Sequence, residues 1–324
     1  MRPLSVVLFG GTGFIGSHLA ARLSDHEIPV VLPTRHEQHA DHLKLLPGVD
    51  VFEADLGDDA TLRRLVAGQS AAINLVGILH SSRGNPYGPE FKRLHVELPR
   101  RIAEACAQED VPRLLHMSAL GADSHGPSMY QRSKADGEQA ARSQPEVAAT
   151  IFRPSVVFGP EDRFLNMFAQ LQRRLPVVPL ACAHARFQPV YVGDVADAFV
   201  AALLDAHSAG NVYELGGPQV YELAELVRLA GRYAGHERPV LALPDTMARL
   251  QVMAFELMPG GPMVTLDNLD SMKVDNVVKP LDNPTTKILT AEALGIKLTP
   301  LESIAPGYLA ADGQLDVLRE HAGR

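Results

Sequence analysis

Short apolar runs alternate with longer stretches of helical periodicity through the first half of the chain. The runs cover residues 4–9, 30–32, 49–52, 71–76, 114–117 and 149–152. They are rich in Val, Leu and Ile with little polar alternation, the pattern of parallel strands covered on both faces. Between them, apolar residues recur at helical spacing over 14–23, 61–66, 91–108 and 129–142. Strand following helix in this way predicts right-handed crossovers and an α/β fold, a Rossmann-type doubly wound parallel sheet. Pro99 lies inside the 91–108 pattern and predicts a kink or a split there.

Beyond Pro154 the rhythm loosens. A helix is predicted over 164–174, then a proline-bearing stretch, a run at 189–191, a helix over 194–204 and a strand over 212–215 before the Gly216-Gly217-Pro218 turn. Helices over 223–234 and 247–257 follow, separated by proline-rich turns. The expected organisation is a dinucleotide-binding Rossmann domain over 1–155, with 187–217 returning to its sheet. A smaller C-terminal cap domain, substrate- or partner-facing, is expected from 156–186 and 218–324.

With 324 residues and 46% of them hydrophobic, the chain can bury one or two sizeable cores. Two cysteines, Cys106 and Cys182, are too few for a disulfide framework. Thirty Lys and Arg against 38 Asp and Glu give a net charge of -8, which works against nucleic acid as a partner. No apolar run approaches the roughly 18 to 20 residues that span a bilayer. The first strand begins near Leu4, where a leader peptide would stand. The expectation is a cytoplasmic protein that is not integral to a membrane.

Candidate chemistry begins at Gly10-Gly11-Thr12-Gly13-Phe14-Ile15-Gly16, between the first strand and the first helix. Glycines at 10, 13 and 16 permit a tight turn, close approach of backbone to a pyrophosphate, and close packing of helix on strand. The amides of Thr12, Gly13, Phe14 and Ile15 then face the phosphate. At the end of the second strand, where an acidic residue would hold a ribose hydroxyl, the chain has Thr34-Arg35. An arginine there can pair with a 2'-phosphate, which favours NADP(H) over NAD(H), with His36 assisting. Asp55 and Leu56 at the end of the third strand are placed at the adenine. Leu75, Val76 and Gly77, after Asn74, are placed beside the nicotinamide.

Tyr130 and Lys134 lie one helical turn apart on one face. A nearby ammonium is expected to stabilise the phenolate and lower the tyrosine pKa, which lets Tyr130 exchange a proton while a nicotinamide exchanges a hydride. Lys134 is also placed on the nicotinamide ribose.

With these residues the chain resembles the short-chain dehydrogenase/reductase superfamily in its extended form. Gly10, Gly13 and Gly16 match its glycine spacing, Tyr130 and Lys134 its Tyr-x-x-x-Lys pair, and Arg153-Pro154 with Phe158-Gly159-Pro160 the turn after its sixth strand. Pro154 is therefore assigned to the cofactor. Asn74-Leu75-Val76-Gly77, Met117 to Ala122 and Gln188 to Val192 resemble an atypical subgroup that includes the nucleotide-binding accessory subunit of respiratory complex I and its free-standing bacterial relatives. Two positions depart from the extended pattern: His95 stands where active members carry an asparagine, and Ser118, the candidate catalytic hydroxyl, falls a residue or two early.

The resemblance implies an NADP(H)-binding oxidoreductase acting on a quinone-related or other apolar carbonyl substrate. It also admits a non-catalytic NAD(P)H-binding protein with a structural or redox-sensing role in an assembly such as complex I, peripheral to the inner membrane. His36, His39 and His42 recur every three residues, but no acidic or cysteine ligand completes a metal site, and a solvated helix near the adenosine is expected instead. The methionines between 247 and 263 read as core packing or as a lipid- or partner-facing groove.

Overall fold

The computed structural model describes residues 4–244, 246–249, 252, 265–279 and 288–310, the side chain of His39 excepted. In chain order the first elements are β1 (Val6–Phe9), α1 (Phe14–Asp25), β2 (Val30–Thr34), β3 (Val49–Glu53), α2 (Asp59–Val66) and β4 (Ala71–Asn74). Next come α3 (Pro89–Phe91), a π-helical stretch Lys92–Glu97, α4 (Leu98–Gln108), β5 (Arg113–Met117), α5 (Met129–Ala141) and β6 (Ala148–Pro154). There follow β7 (Val157–Phe158), α6 (Phe164–Arg174), β8 (Val178–Leu180), β9 (Arg186–Phe187), β10 (Val190–Tyr191) and α7 (Val192–Leu204). The last are β11 (Val212–Leu215), β12 (Tyr221–Glu222), α8 (Leu223–Tyr233), β13 (Val240–Ala242), α9 (Leu266–Ser271), β14 (Ile288–Thr290) and α10 (Leu301–Leu309).

The described residues form two compact units. The first holds the described residues of 4–154, 192–215 and 288–297, and the second those of 155–191, 216–279 and 298–310.

In the first unit an eight-stranded parallel sheet runs in the order β14-β11-β6-β5-β4-β1-β2-β3. This is the doubly wound Rossmann sheet expected from the strand-helix alternation. All four residues of β1 are buried, as are all four of β4, which is why those runs carry no polar alternation. On one face Val7, Phe9, Leu62, Ile102, Leu114 and Ile151 pack with neighbouring apolar side chains. Elsewhere in this unit Phe152 stacks on Phe199 of α7, their ring centroids 3.9 Å apart.

Three features bear on the sequence expectations. At Pro99 the helical pattern changes winding: a π-wound stretch ends at Glu97, and the proline sits in the first turn of α4. Proline lacks an N–H, so the carbonyl four residues earlier, that of His95, loses its usual donor, and the wider π winding absorbs the mismatch. The return to the sheet begins at Val192 rather than at 187, because β9 pairs with β12 and β10 with β7 in the second unit. The sheet also takes β14 from a region assigned to the cap domain; its Ile288, Leu289 and Thr290 pair with β11 and cover what would otherwise be an open edge.

The second unit has its own core, built around Phe158, Leu165, Phe168, Leu226, Val227 and Tyr308. Buried Asp162 caps the start of α6 by accepting the Leu165 N–H at 2.6 Å, and it accepts the Tyr308 hydroxyl at 2.5 Å. Of the methionine-bearing segment, 250, 251 and 253–264 lie outside the described residues, and so does most of the helix expected over 247–257.

Candidate active site

Strand order reverses at β1, which lies between β4 and β2, so the loops leaving the C-terminal ends of these strands share one edge of the sheet. The glycine turn leaves β1. Gly10 has a φ of +81°, and a Cβ there would lie 3.0 Å from both the Leu75 carbonyl carbon and the Val76 nitrogen, so this glycine backs directly onto the loop after β4. A Cβ at Gly16 would come within 2.3 Å of the Gly10 oxygen; glycine there lets α1 settle onto its own turn. Gly13 is different. It is exposed, its φ is an ordinary -81°, and a Cβ would meet one protein atom, the Gly10 oxygen at 3.3 Å.

Gly13 is the N-cap of α1, offers no side-chain cap, and is followed by a first turn without acidic residues. Neither the N-cap nor the first turn supplies an anion to the leading amides, and a phosphate would satisfy both the amides and the helix dipole. A Cβ at residue 13 would fill this cradle, so the residues present fit a dinucleotide pyrophosphate.

The loop after β4 is shaped from below. The buried Asn74 carboxamide oxygen accepts the Val76 N–H at 3.1 Å, and its nitrogen lies 3.2 Å from Nδ1 of buried His116. Leu75 is tied to β1 through its N–H to the Phe9 carbonyl at 2.9 Å. Gly10, Leu75 and Val76 are therefore brought together, and Gly77 follows on the same loop. Arg35 and His36 follow β2 and are exposed, with the His36 N–H donating to Thr34 Oγ1 at 3.3 Å. His36 stands before a short 3-10 turn, Glu37–Ala40, and His42 before another, Leu43–Leu45, so the histidines do not share the single helix that their spacing suggests. The Asp55 carboxylate turns back onto the Gly57 N–H at 2.8 Å, and the Leu56 carbonyl accepts from Arg101 at 2.9 Å.

A capping box starts α5: Ser128 Oγ accepts the Gln131 N–H at 3.1 Å, and the Gln131 side chain returns to the Ser128 N–H at 3.3 Å. This fixes Tyr130 in the first turn and Lys134 one turn on. Lys134 is buried, donates to the Met117 carbonyl at the end of β5 at 3.1 Å, and holds its ammonium 5.9 Å from the centroid of the Tyr130 ring. A Cβ on Gly77 would lie 3.4 Å from Lys134 Nζ, which joins the loop after β4 to the Tyr-Lys pair. Burial lowers the Lys134 pKa to about 8, against an opposing pull from the Glu138 carboxylate. Burial raises the half-buried Tyr130 phenol to about 12, the reverse of the lowering expected from its lysine. Desolvation of the phenolate is the cause, and it exceeds any lowering by the ammonium near the ring.

Ser118 is placed differently from expectation. Its buried hydroxyl donates to Glu138 Oε1 at 2.5 Å, and Glu138 is gripped by Arg153 through two bonds of 2.7 Å each. Arg153 also reaches buried Glu214 at 3.7 Å. The single Ser118 proton is committed to a buried ion-pair network joining α5, β6 and β11. Pro154 ends β6 and accepts the Leu120 N–H at 2.9 Å.

His95, which stands where active members of the resembled family carry an asparagine, is hydrogen-bonded in place. It is buried, accepts the Ile78 N–H on Nε2 at 3.0 Å, and places Nδ1 2.9 Å from Ser133 Oγ. Its ring stacks on Phe91 and meets Tyr130 edge-on at 5.7 Å.

Among proteins of known family, the model describing the NAD dependent epimerase/dehydratase family matches residues 6–216. The mouse mitochondrial protein "NADH dehydrogenase [ubiquinone] 1 alpha subcomplex subunit 9" is 33% identical over 321 residues, which cover 97% of this chain and 79% of that protein. The ceramide reductase of Caulobacter vibrioides is 31% identical over 245 residues, 74% of each chain. Among solved structures, MoeE5 in complex with UDP-glucose and NAD shares the fold with a TM-score of 0.70 at 19% identity, covering 98% of this chain and 99% of that one.

Proposed function

The chain belongs to the NAD dependent epimerase/dehydratase family, and from that premise we propose that it is an NADP(H)-binding oxidoreductase that reduces an apolar, quinone-related or other carbonyl substrate. The observation that carries the reading is the Tyr130-Lys134 pair beside the loop after β4, the loop onto which the glycine turn backs. A buried ammonium is tied to the Met117 carbonyl, and the phenol is raised to about 12 and so protonated at neutral pH. A protonated phenol is the donor form, suited to giving its proton to a carbonyl oxygen, and the Lys134 charge stabilises the phenolate left behind.

Gly10, Thr12, Gly13, Phe14, Ile15 and Gly16 would hold the pyrophosphate. Arg35 and His36 would meet a 2'-phosphate, Asp55 and Leu56 would border the adenine, and Leu75, Val76, Gly77, Lys134 and Pro154 would line the nicotinamide end. The bound cofactor supplies a hydride. A relative named ceramide reductase supports reduction of an apolar substrate.

A second reading rests on the Ser118 hydroxyl being bound to Glu138 and on the relative that is a subunit of NADH dehydrogenase [ubiquinone]. In it the nucleotide is structural or redox-sensing, and the chain stabilises an assembly peripheral to a membrane. Among the described residues no helix is long and apolar enough to cross one.

Substituting Tyr130 by Phe separates the two. Calorimetric titration with NADPH should show affinity retained in the variant, while reduction of short-chain ubiquinones and long-chain ketones measured at 340 nm collapses. NADPH bound by the wild-type chain with no turnover of either probe class would favour the assembly role, and no binding of either pyridine nucleotide would defeat both readings.

A further inference from the structure

The reading of Tyr130 as proton donor leaves His95 without a role, and its surroundings supply one. Since Nε2 accepts the Ile78 N–H, the ring proton must be on Nδ1, which donates to Ser133 Oγ; the Ser133 hydroxyl in turn donates to the Tyr130 carbonyl at 2.8 Å. This series starts at a backbone amide and ends at a backbone carbonyl. It cannot carry a proton to the phenol, but it can hold the Tyr130 backbone at a fixed distance from the loop after β4.

The backbone of His95 makes the same join. Pro99 offers its carbonyl no N–H, and a Cβ at Gly137 would lie 2.2 Å from that carbonyl oxygen, so α5 lies flush against the π-wound stretch. Tyr130, Ser133 and Gly137 share one face of α5, each facing a different part of His95. A Cβ at Gly77 would lie 3.6 Å from His95 Nε2, which puts the imidazole against the loop assigned to the nicotinamide.

We propose that His95 is a positioning residue: a neutral imidazole of fixed tautomer, delivered by the π-wound stretch, that sets Tyr130 relative to residues 77 and 78. Burial, reinforced by the Lys134 charge, holds its pKa far down, at about 2, so the ring stays neutral through the physiological range. Other groups with charge or titration facing it are Tyr130 and Lys134 of α5 and His116 of β5.

The test uses the full chain labelled with 15N-histidine and with 13C at the tyrosine ζ carbon, the Tyr130 line being assigned with Tyr130→Phe. His95 is expected as a single Nδ1–H tautomer that does not titrate between about pH 5 and 8. The Tyr130 line should shift and broaden in His95→Ala and in Ser133→Ala, and should stay sharp in His95→Gln, whose amide offers one acceptor and one donor. NADPH affinity should stay within about twofold of wild type in Ser133→Ala, which leaves the loop after β4 untouched. If His95→Ala fails to fold, Ser133→Ala and His95→Gln still decide. A Tyr130 line unmoved in Ser133→Ala, or a His95 ring that gains a second proton in that pH range, would overturn the proposal. A wild-type chain that binds no pyridine nucleotide would defeat the oxidoreductase reading and leave the His95 measurement standing.

Discussion

The Lys134 ammonium lies 5.9 Å from the centre of the Tyr130 ring, buried and tied to the Met117 carbonyl rather than paired directly with a carboxylate. An ammonium so placed costs folding free energy, and its retention has a consequence that can be measured.

Burial lowers the Lys134 pKa from 10.5 to about 8. Between those values the unfolded chain binds the proton that the folded chain has released, so stability rises with pH across that window; below it both states are charged and the burial cost is present in full. Lys134→Met should therefore be more stable than wild type at pH 7, on the order of 1–3 kcal/mol, and the gain should vanish near pH 10.5. Reductase activity should be lost in the variant, and in wild type it should fall as pH rises through about 8. Thermal unfolding at pH 7 and at pH 10.5, with initial rates across the same range, checks both; a variant less stable at pH 7 would show that Glu138 outweighs the burial.

Gly13 and Gly16 should respond in opposite ways. Serine suits the extended N-cap backbone of residue 13 and would satisfy a leading amide of α1 itself, so Gly13→Ser should leave Tm unchanged or slightly raised while weakening NADPH binding by about tenfold or more. Gly16→Ala drives a methyl into the Gly10 carbonyl and should cost about 1–3 kcal/mol of stability. Paired melting curves and nucleotide titrations would expose an error if Gly13→Ser bound NADPH as well as wild type.

Ser118→Ala should lower stability by about 1–2 kcal/mol through the bond lost by Glu138 and leave turnover within a few-fold of wild type. A drop of about a hundredfold in kcat would instead restore Ser118 as the hydroxyl that steadies the substrate oxygen. Arg153→Met removes the guanidinium that faces two buried carboxylates and should cost about 3–5 kcal/mol, seen as a lower urea midpoint.

On the proposed reading, in which Arg35 meets the 2'-phosphate, Arg35→Ser should weaken NADPH by about tenfold or more and leave NADH within a few-fold. Isothermal titration with both nucleotides is the check. Equal losses for the two would place Arg35 elsewhere than at that phosphate.

Features carried by neighbouring residues were legible in the sequence. The buried strands have no polar alternation, the glycine turn is contiguous, and Tyr130 with Lys134 needs one turn of helix. Features made by tertiary proximity were not. Glu138, Arg153 and Glu214 meet because β6 lies between β5 and β11, an order that no spacing reveals. The Tyr130 phenol is raised because burial outweighs the nearby charge, and exposure is a property of the folded chain. Pro99 was legible as a disturbance but not as its outcome, since the same missing N–H can kink a helix or widen it. The helix expected through His36, His39 and His42 gave way to two 3-10 turns for which side-chain spacing offered no cue.

The sheet closes with β14, which pairs with β11 although the described residues between 216 and 279 belong to the second unit. Excising the nucleotide-binding portion at residue 216, where the family match stops, would strip β11 of that neighbour and leave its amides and carbonyls open to any passing strand. Such a fragment should self-associate, and a soluble minimal version would have to splice residues 288–297 back on.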